Sequence, residues 1–113
     1  MTNKEENELR IRAKHYLPIE IQRLAQQHGF QYQQIKIRKS RTRWGSCSSK
    51  GTINLSFYLM LLPSHLIEYV LLHELCHTKV MNHSADFWSL LDLHTQGRAK
   101  ALRKELRQFH IPR

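Results

Sequence analysis

Little in this chain of 113 residues points to secretion or to a membrane. Only two cysteines occur, Cys47 and Cys76; a small secreted scaffold needs several bridges, so the pair reads as free thiols in a reducing compartment. No apolar stretch approaches the ~18 residues that a membrane helix requires. The opening MTNKEENELRIRAKHY is charged throughout and lacks the apolar core of a signal peptide. The expectation is a cytoplasmic protein without membrane contact. Glycine and proline are also scarce, four and three. With no Pro/Gly/Ser-rich linker and no internal repeat, residues 1–113 are expected to form a single domain.

Acidic residues are the other shortage. Nine Asp and Glu stand against 18 Lys and Arg, a formal net charge of +9. Between Glu20 and Glu68 there is no acid at all, while Arg23, Lys36, Arg38, Lys39, Arg41, Arg43 and Lys50 supply bases. A second basic cluster comprises Arg98, Lys100, Arg103, Lys104, Arg107 and Arg113. Such patches attract polyanions, so DNA is a candidate partner, although basic residues also simply solvate a small domain.

What is present is an ordinary globular pattern, 41% hydrophobic and 24% charged. Leu9, Ile11, Ala13, Tyr16, Leu17, Ile21, Leu24 and Ala25 predict a helix over about 7–28, stopped by Gly29, with Pro18 marking a kink or the start of a second segment. Period-two alternation then predicts strands over Phe30–Arg38, Thr42–Cys47 and Ile53–Phe57, expected to pair as a small antiparallel sheet around a Ser48–Gly51 turn. Beyond Pro63, with Ser64 as candidate cap, Leu66, Ile67, Val70, Leu71 and Leu75 predict a buried helix. Two further helices are expected over about 84–94 and 97–109. The fold class is therefore α+β.

Residues 73–77 read His-Glu-Leu-Cys-His, the HExxH pattern. Four residues apart on a helix, His73 and His77 share one face and can offer ring nitrogens to a single metal ion, with Glu74 beside them. Two histidines and a glutamate on a buried helix would each cost about 1–3 kcal/mol if left unsatisfied, and a ligand role removes that cost. A catalytic zinc needs a third protein ligand and an open position. His83, Asp86 and His94 are the candidates, with His83 leading. On a continuing helix His83 would lie roughly 80° off the face of His73 and ~9 Å along the axis from His77. The chain must then turn back, with Asn82 as the expected left-handed residue and a helix end near 81. Cys76 should face away from the ion.

The string Arg43-Trp44-Gly45-Ser46-Cys47, followed by Ile53-Asn54-Leu55, Tyr69-Val70, the HExxH segment, Asn82-His83-Ser84 and Phe87-Trp88, resembles the YgjP-like metallopeptidases, relatives of the SprT/WLM minimal zincins. The likeness covers about residues 9–106. It implies a minimal zincin core, in which an N-terminal helix and a small sheet pack on the HExxH helix and C-terminal helices follow. It further implies one zinc held by His73, His77 and His83, with Glu74 as catalytic acid/base and a peptide or protein as substrate. On this reading Glu74 activates a zinc-bound water and a second donor stabilises the oxyanion, for which Arg43, Tyr58 and Tyr69 are cleft candidates. Trp44 and Trp88 read as core aromatics, and Gly45 as a site of close backbone approach to the motif helix. The rival readings are a nucleic-acid-binding domain with a structural zinc and an inactive zincin scaffold.

Overall fold

A computed structural model describes residues 1–112; Arg113, counted in the second basic cluster, lies outside them. Helix α1 spans Asn3–His28. It begins before its apolar periodicity does because a capping box starts it: Thr2 Oγ1 accepts the Glu5 N–H at 3.1 Å while the Glu5 carboxylate accepts the Thr2 N–H at 2.9 Å. Gly29, at φ 76°, ends it as expected. The helix runs through Pro18 as one element. Leu9, Ala13, Leu17, Ile21 and Leu24 form its buried stripe.

The sheet has three strands, β1 (Gln34–Arg38), β2 (Gly45–Cys47) and β3 (Thr52–Ser56), in the order β1-β3-β2. It is not wholly antiparallel as expected. β1 lies parallel to β3, with Gln34 opposite Thr52, and only β2 is antiparallel to β3, with Gly45 opposite Leu55. Segment 39–51, with β2 inside it, is long enough for a crossover between parallel strands. The Ser48–Gly51 turn makes the expected hairpin, but between β2 and β3: Ser48 N–H donates to Thr52 O at 2.9 Å and Gly51 takes φ 86°. Period two reports which side chains share a face and says nothing of strand direction, which is why the expectation failed. Ile53 and Leu55 turn their face inward and are fully buried, and the register places Gly45 and Cys47 on that same face. β2 is an edge strand, paired only with β3.

After a 3₁₀ helix over Phe57–Leu61 come α2 (Ser64–His77), α3 (Ala85–His94) and α4 (Ala99–Leu106). Pro63, not Ser64, occupies the cap position of α2, and no side chain caps it. α2 is the centre of the molecule, packed against α1, α3, α4 and β2. Its stripe of Leu66, Ile67, Val70, Leu71 and Leu75 is buried. The arrangement is α+β, as expected. Among the described residues no helix is long and apolar enough to cross a membrane.

One polar cluster anchors the approach to β2. The Glu6 carboxylate, on α1, meets Lys39 Nζ at 3.0 Å, Arg41 Nη2 at 3.3 Å and the hydroxyl of Tyr58. Ser56 Oγ donates to Ser40 O at 2.9 Å, and Ser56 N–H donates to Trp44 O at 2.9 Å. The segment that delivers Arg43 and Trp44 to the sheet edge is thus fixed at several points.

Candidate active site

The last turn of α2 carries His73, Glu74 and His77, and the helix stops at His77 rather than near residue 81. Three hydrogen bonds mark its end. Thr78 Oγ1 turns back to donate to Leu75 O at 2.6 Å, and the N–H groups of Lys79 and Val80 both donate to Cys76 O at 3.0 Å. The chain then reverses without the left-handed residue expected at Asn82, since Gln96 is the one non-glycine of positive φ among the described residues. The reversal brings His83 back over the helix.

Three ring nitrogens converge as a result. His77 Nε2 stands 3.2 Å from His73 Nε2 and 3.2 Å from His83 Nε2, and the last two are 3.4 Å apart. His77 Nδ1 lies 3.0 Å from Val80 O. A carbonyl only accepts, so in the neutral ring Nδ1 carries the proton and Nε2 presents a bare lone pair to the cluster. Burial, reinforced by His77 and His83, pulls His73 down to about 3, and burial also lowers His77. Neutral imidazoles converging nitrogen to nitrogen can hold a cation between them. A tetrahedral zinc with bonds of about 2.0–2.1 Å spaces its ligands about 3.3–3.4 Å apart, within about 0.1 Å of the 3.2, 3.2 and 3.4 Å found, so the donor set fits the ion. Among the described residues no fourth donor joins the cluster. Asp86 is exposed and outside it, and His94 Nδ1 instead faces His28 Nδ1 at 3.0 Å.

Phe87, from α3, braces the cluster: its ring stacks on His77 at 4.3 Å between centroids and meets His73 edge-on at 4.9 Å. Phe87 is itself fully buried. Its contact with the imidazoles was not foreseeable without knowing where the chain reverses. Cys76 is buried and outside the cluster, as expected.

Glu74 lies between two hollows. The smaller, of about 350 Å³, is lined by Arg43, Ser46, Cys47 and the three histidines; the larger, of about 420 Å³, by Trp44, Tyr69, Val70, His73 and residues of α4 and the segment after it. Both also include Gly45 and Glu74. Burial pushes the Glu74 carboxyl up to about 8, and the nearby Arg43 guanidinium opposes the rise. A cation at the histidines would oppose it further. Gly45 allows the close approach of β2 to α2. A Cβ there would stand 3.1 Å from Glu74 Cγ and 3.2 Å from Glu74 Oε2.

Of the three cleft candidates, the structure brings two to the site. Arg43 lines the smaller hollow and Tyr69 the larger, where burial raises the phenol to about 12. Tyr58 is not in the cleft. It is fully buried and its hydroxyl bonds Glu6, because the residues after β3 coil into a 3₁₀ turn that faces α1. Sequence reasoning missed the larger hollow. Trp44 is half-buried and lines it rather than filling the core. Arg103 and Arg107, counted in the second basic cluster and left open between a solvated face and a polyanion contact, line it too.

The family model described as "YgjP-like, metallopeptidase domain" matches residues 2–109. Among solved structures, the metallopeptidase zymogen of Pyrococcus abyssi abylysin is 26% identical with a TM-score of 0.68, covering 81% of this chain and 93% of its own. The metallopeptidase zymogen of Methanocaldococcus jannaschii jannalysin is 21% identical with a TM-score of 0.67, covering 80% and 93%, and shares the fold. No curated protein matches the chain.

Proposed function

Because this chain belongs to the YgjP-like metallopeptidase family, we propose that it is a one-zinc peptidase in which His73, His77 and His83 hold the ion and Glu74 is the catalytic acid/base, all within one domain over residues 1–113. The observation that carries this is the triangle of Nε2 atoms, 3.2, 3.2 and 3.4 Å on its sides, with a buried carboxylate on the adjacent residue. Bound there, zinc supplies Lewis acidity, polarising a carbonyl and lowering the pKa of water to about 7. Glu74 takes a proton from the attacking water and returns it to the amine nitrogen as the C–N bond breaks. Arg43 favours the carboxylate form that the first transfer needs. The free edge of β2 offers backbone groups to an extended substrate, and Tyr69 and Arg43 are the side chains available to donate to the developing oxyanion.

Metal content of the purified full chain, measured by mass spectrometry, tests the site. One zinc per chain is expected, lost in His83→Ala and kept in Asp86→Ala. Glu74→Gln should keep the zinc and abolish peptide cleavage. A chain that takes up no zinc on reconstitution, or a Glu74→Gln variant as active as the parent, would overturn the reading.

A further inference from the structure

The larger hollow has a feature that peptide hydrolysis in general does not require. Its lining includes the apolar side chains of Trp44, Val70 and Leu106, yet Arg103 and Arg107 also line it. Arg107 is the residue that follows α4 and keeps helical dihedrals, φ −62° and ψ −16°, so it shares a helix face with Arg103 four residues before it. Among the described residues neither forms an ion pair, and the Arg103 guanidinium rests over the Trp88 ring, 5.3 Å from its centroid. Like charges one turn apart repel, and an anion between them reverses the sign of that interaction. Planar guanidiniums match a carboxylate fork to fork.

The strand beside the site shows which part of a peptide would arrive there. β2 begins at Gly45, at the larger hollow, and ends at Cys47, which lines only the smaller one. A peptide pairing antiparallel with its free edge runs the opposite way. It enters along the smaller hollow, passes the histidines and Glu74, and leaves its C-terminal side in the larger hollow. That hollow holds about 420 Å³, at the small end of ligand pockets and room enough for a terminal side chain together with its carboxylate.

We propose that this cavity binds the last residue of a peptide, its apolar side chain against Trp44, Val70 and Leu106 and its α-carboxylate on Arg103 and Arg107, so that the protein acts as a carboxypeptidase. The proposal rests on the peptidase reading above. In the step, the water oxygen bonds to the penultimate carbonyl carbon and the C–N bond breaks. The nitrogen gains a proton, and the terminal residue leaves as a free amino acid.

The test compares two forms of one N-acetylated pentapeptide ending in glycine-phenylalanine, the free acid and the C-terminal amide. With the zinc-loaded full chain, cleavage should release phenylalanine from the acid, with kcat/KM at least about tenfold above that for the amide. With zinc-loaded Glu74→Gln, which should bind without turnover, calorimetry should show the acid binding about tenfold tighter or more. Arg103→Gln with Arg107→Gln should bring both ratios to about one, and the double Arg→Lys variant, which keeps the charge, should restore part of them. Equal binding of acid and amide would overturn the proposal even if no peptide were cut. Cleavage of interior bonds with no preference for the acid would overturn it and leave the peptidase reading intact. Failure to cut any peptide or unfolded protein would count against the peptidase reading itself.

Discussion

Adding one methyl group at Gly45 should disable the site without touching a metal ligand. The backbone of Gly45 lies outside the left-handed region, so alanine carries no conformational strain there. The cost is steric. The new Cβ would sit 3.1 Å from Glu74 Cγ, 3.2 Å from Glu74 Oε2 and 3.2 Å from the backbone oxygen of Asn54, whereas carbon atoms prefer about 3.5–4.0 Å. Asn54 is held in the ladder between β1 and β2. Glu74 must therefore retreat by roughly 0.4 Å or more, or β2 must lift from α2. Misplacement by about 1 Å can cost 10²-fold in rate, so kcat in Gly45→Ala should fall about 10- to 100-fold. Overpacking costs about 1–3 kcal/mol, and restriction of the unfolded chain returns about 0.4–1 kcal/mol, so a modest fall in Tm is expected. The assay is kcat on a peptide substrate beside zinc content on the same preparation. Activity within twofold of the parent and an unchanged Tm would refute the argument that β2 and Glu74 are in limiting contact. Loss of zinc together with activity would refute the claim that the effect is confined to Glu74.

Three further outcomes follow from the packing. Phe87→Leu, which removes the ring stacked on His77, should weaken zinc affinity about 10-fold by loosening ligand orientation; chelator competition measures this, and unchanged affinity would show that the ring only fills space. Tyr58, then Lys39 and Arg41, hold the Glu6 carboxyl down to about 2 from its ordinary 4.5. Because the folded value is the lower one, the stabilisation is complete above about 4.5 and disappears as pH falls through about 2. The Tm advantage of the parent over Glu6→Gln should therefore shrink between pH 5 and 2, and an advantage independent of pH would sink the assignment. Leu71→Ala, at a fully buried position on α2, should cost about 2–5 kcal/mol in urea unfolding, and less than 1 kcal/mol would mean the core there can collapse.

The readable parts of this molecule were those set by spacing along one element. The buried stripe of α1, its stop at Gly29 and the shared face of His73 and His77 all follow from helical periodicity. The geometric argument that His83 could not stay on the helix also anticipated the reversal, but not its mechanism. Thr78 closes the helix through its own hydroxyl, a local bond that apolar periodicity does not register. Features that depend on two elements meeting were out of reach. Alternation in β1 and β3 is the same for parallel and antiparallel pairing. Arg103 and Arg107 show helical spacing whether α4 faces water or the cleft. Tyr58 follows the strand that borders the site, yet the 3₁₀ turn after β3 sends its hydroxyl to α1.

The position of β2 bears on when activity can arise during synthesis. Its only strand partner, β3, follows it in the chain, as do the helix with which Gly45 makes contact and the loop carrying His83. At about 5–20 residues per second, roughly 3–12 seconds separate translation of Gly45 from that of Arg107 on the opposite wall of the larger hollow. The smaller hollow is complete once His83 has been made, and the larger one closes only with Arg103 to His110.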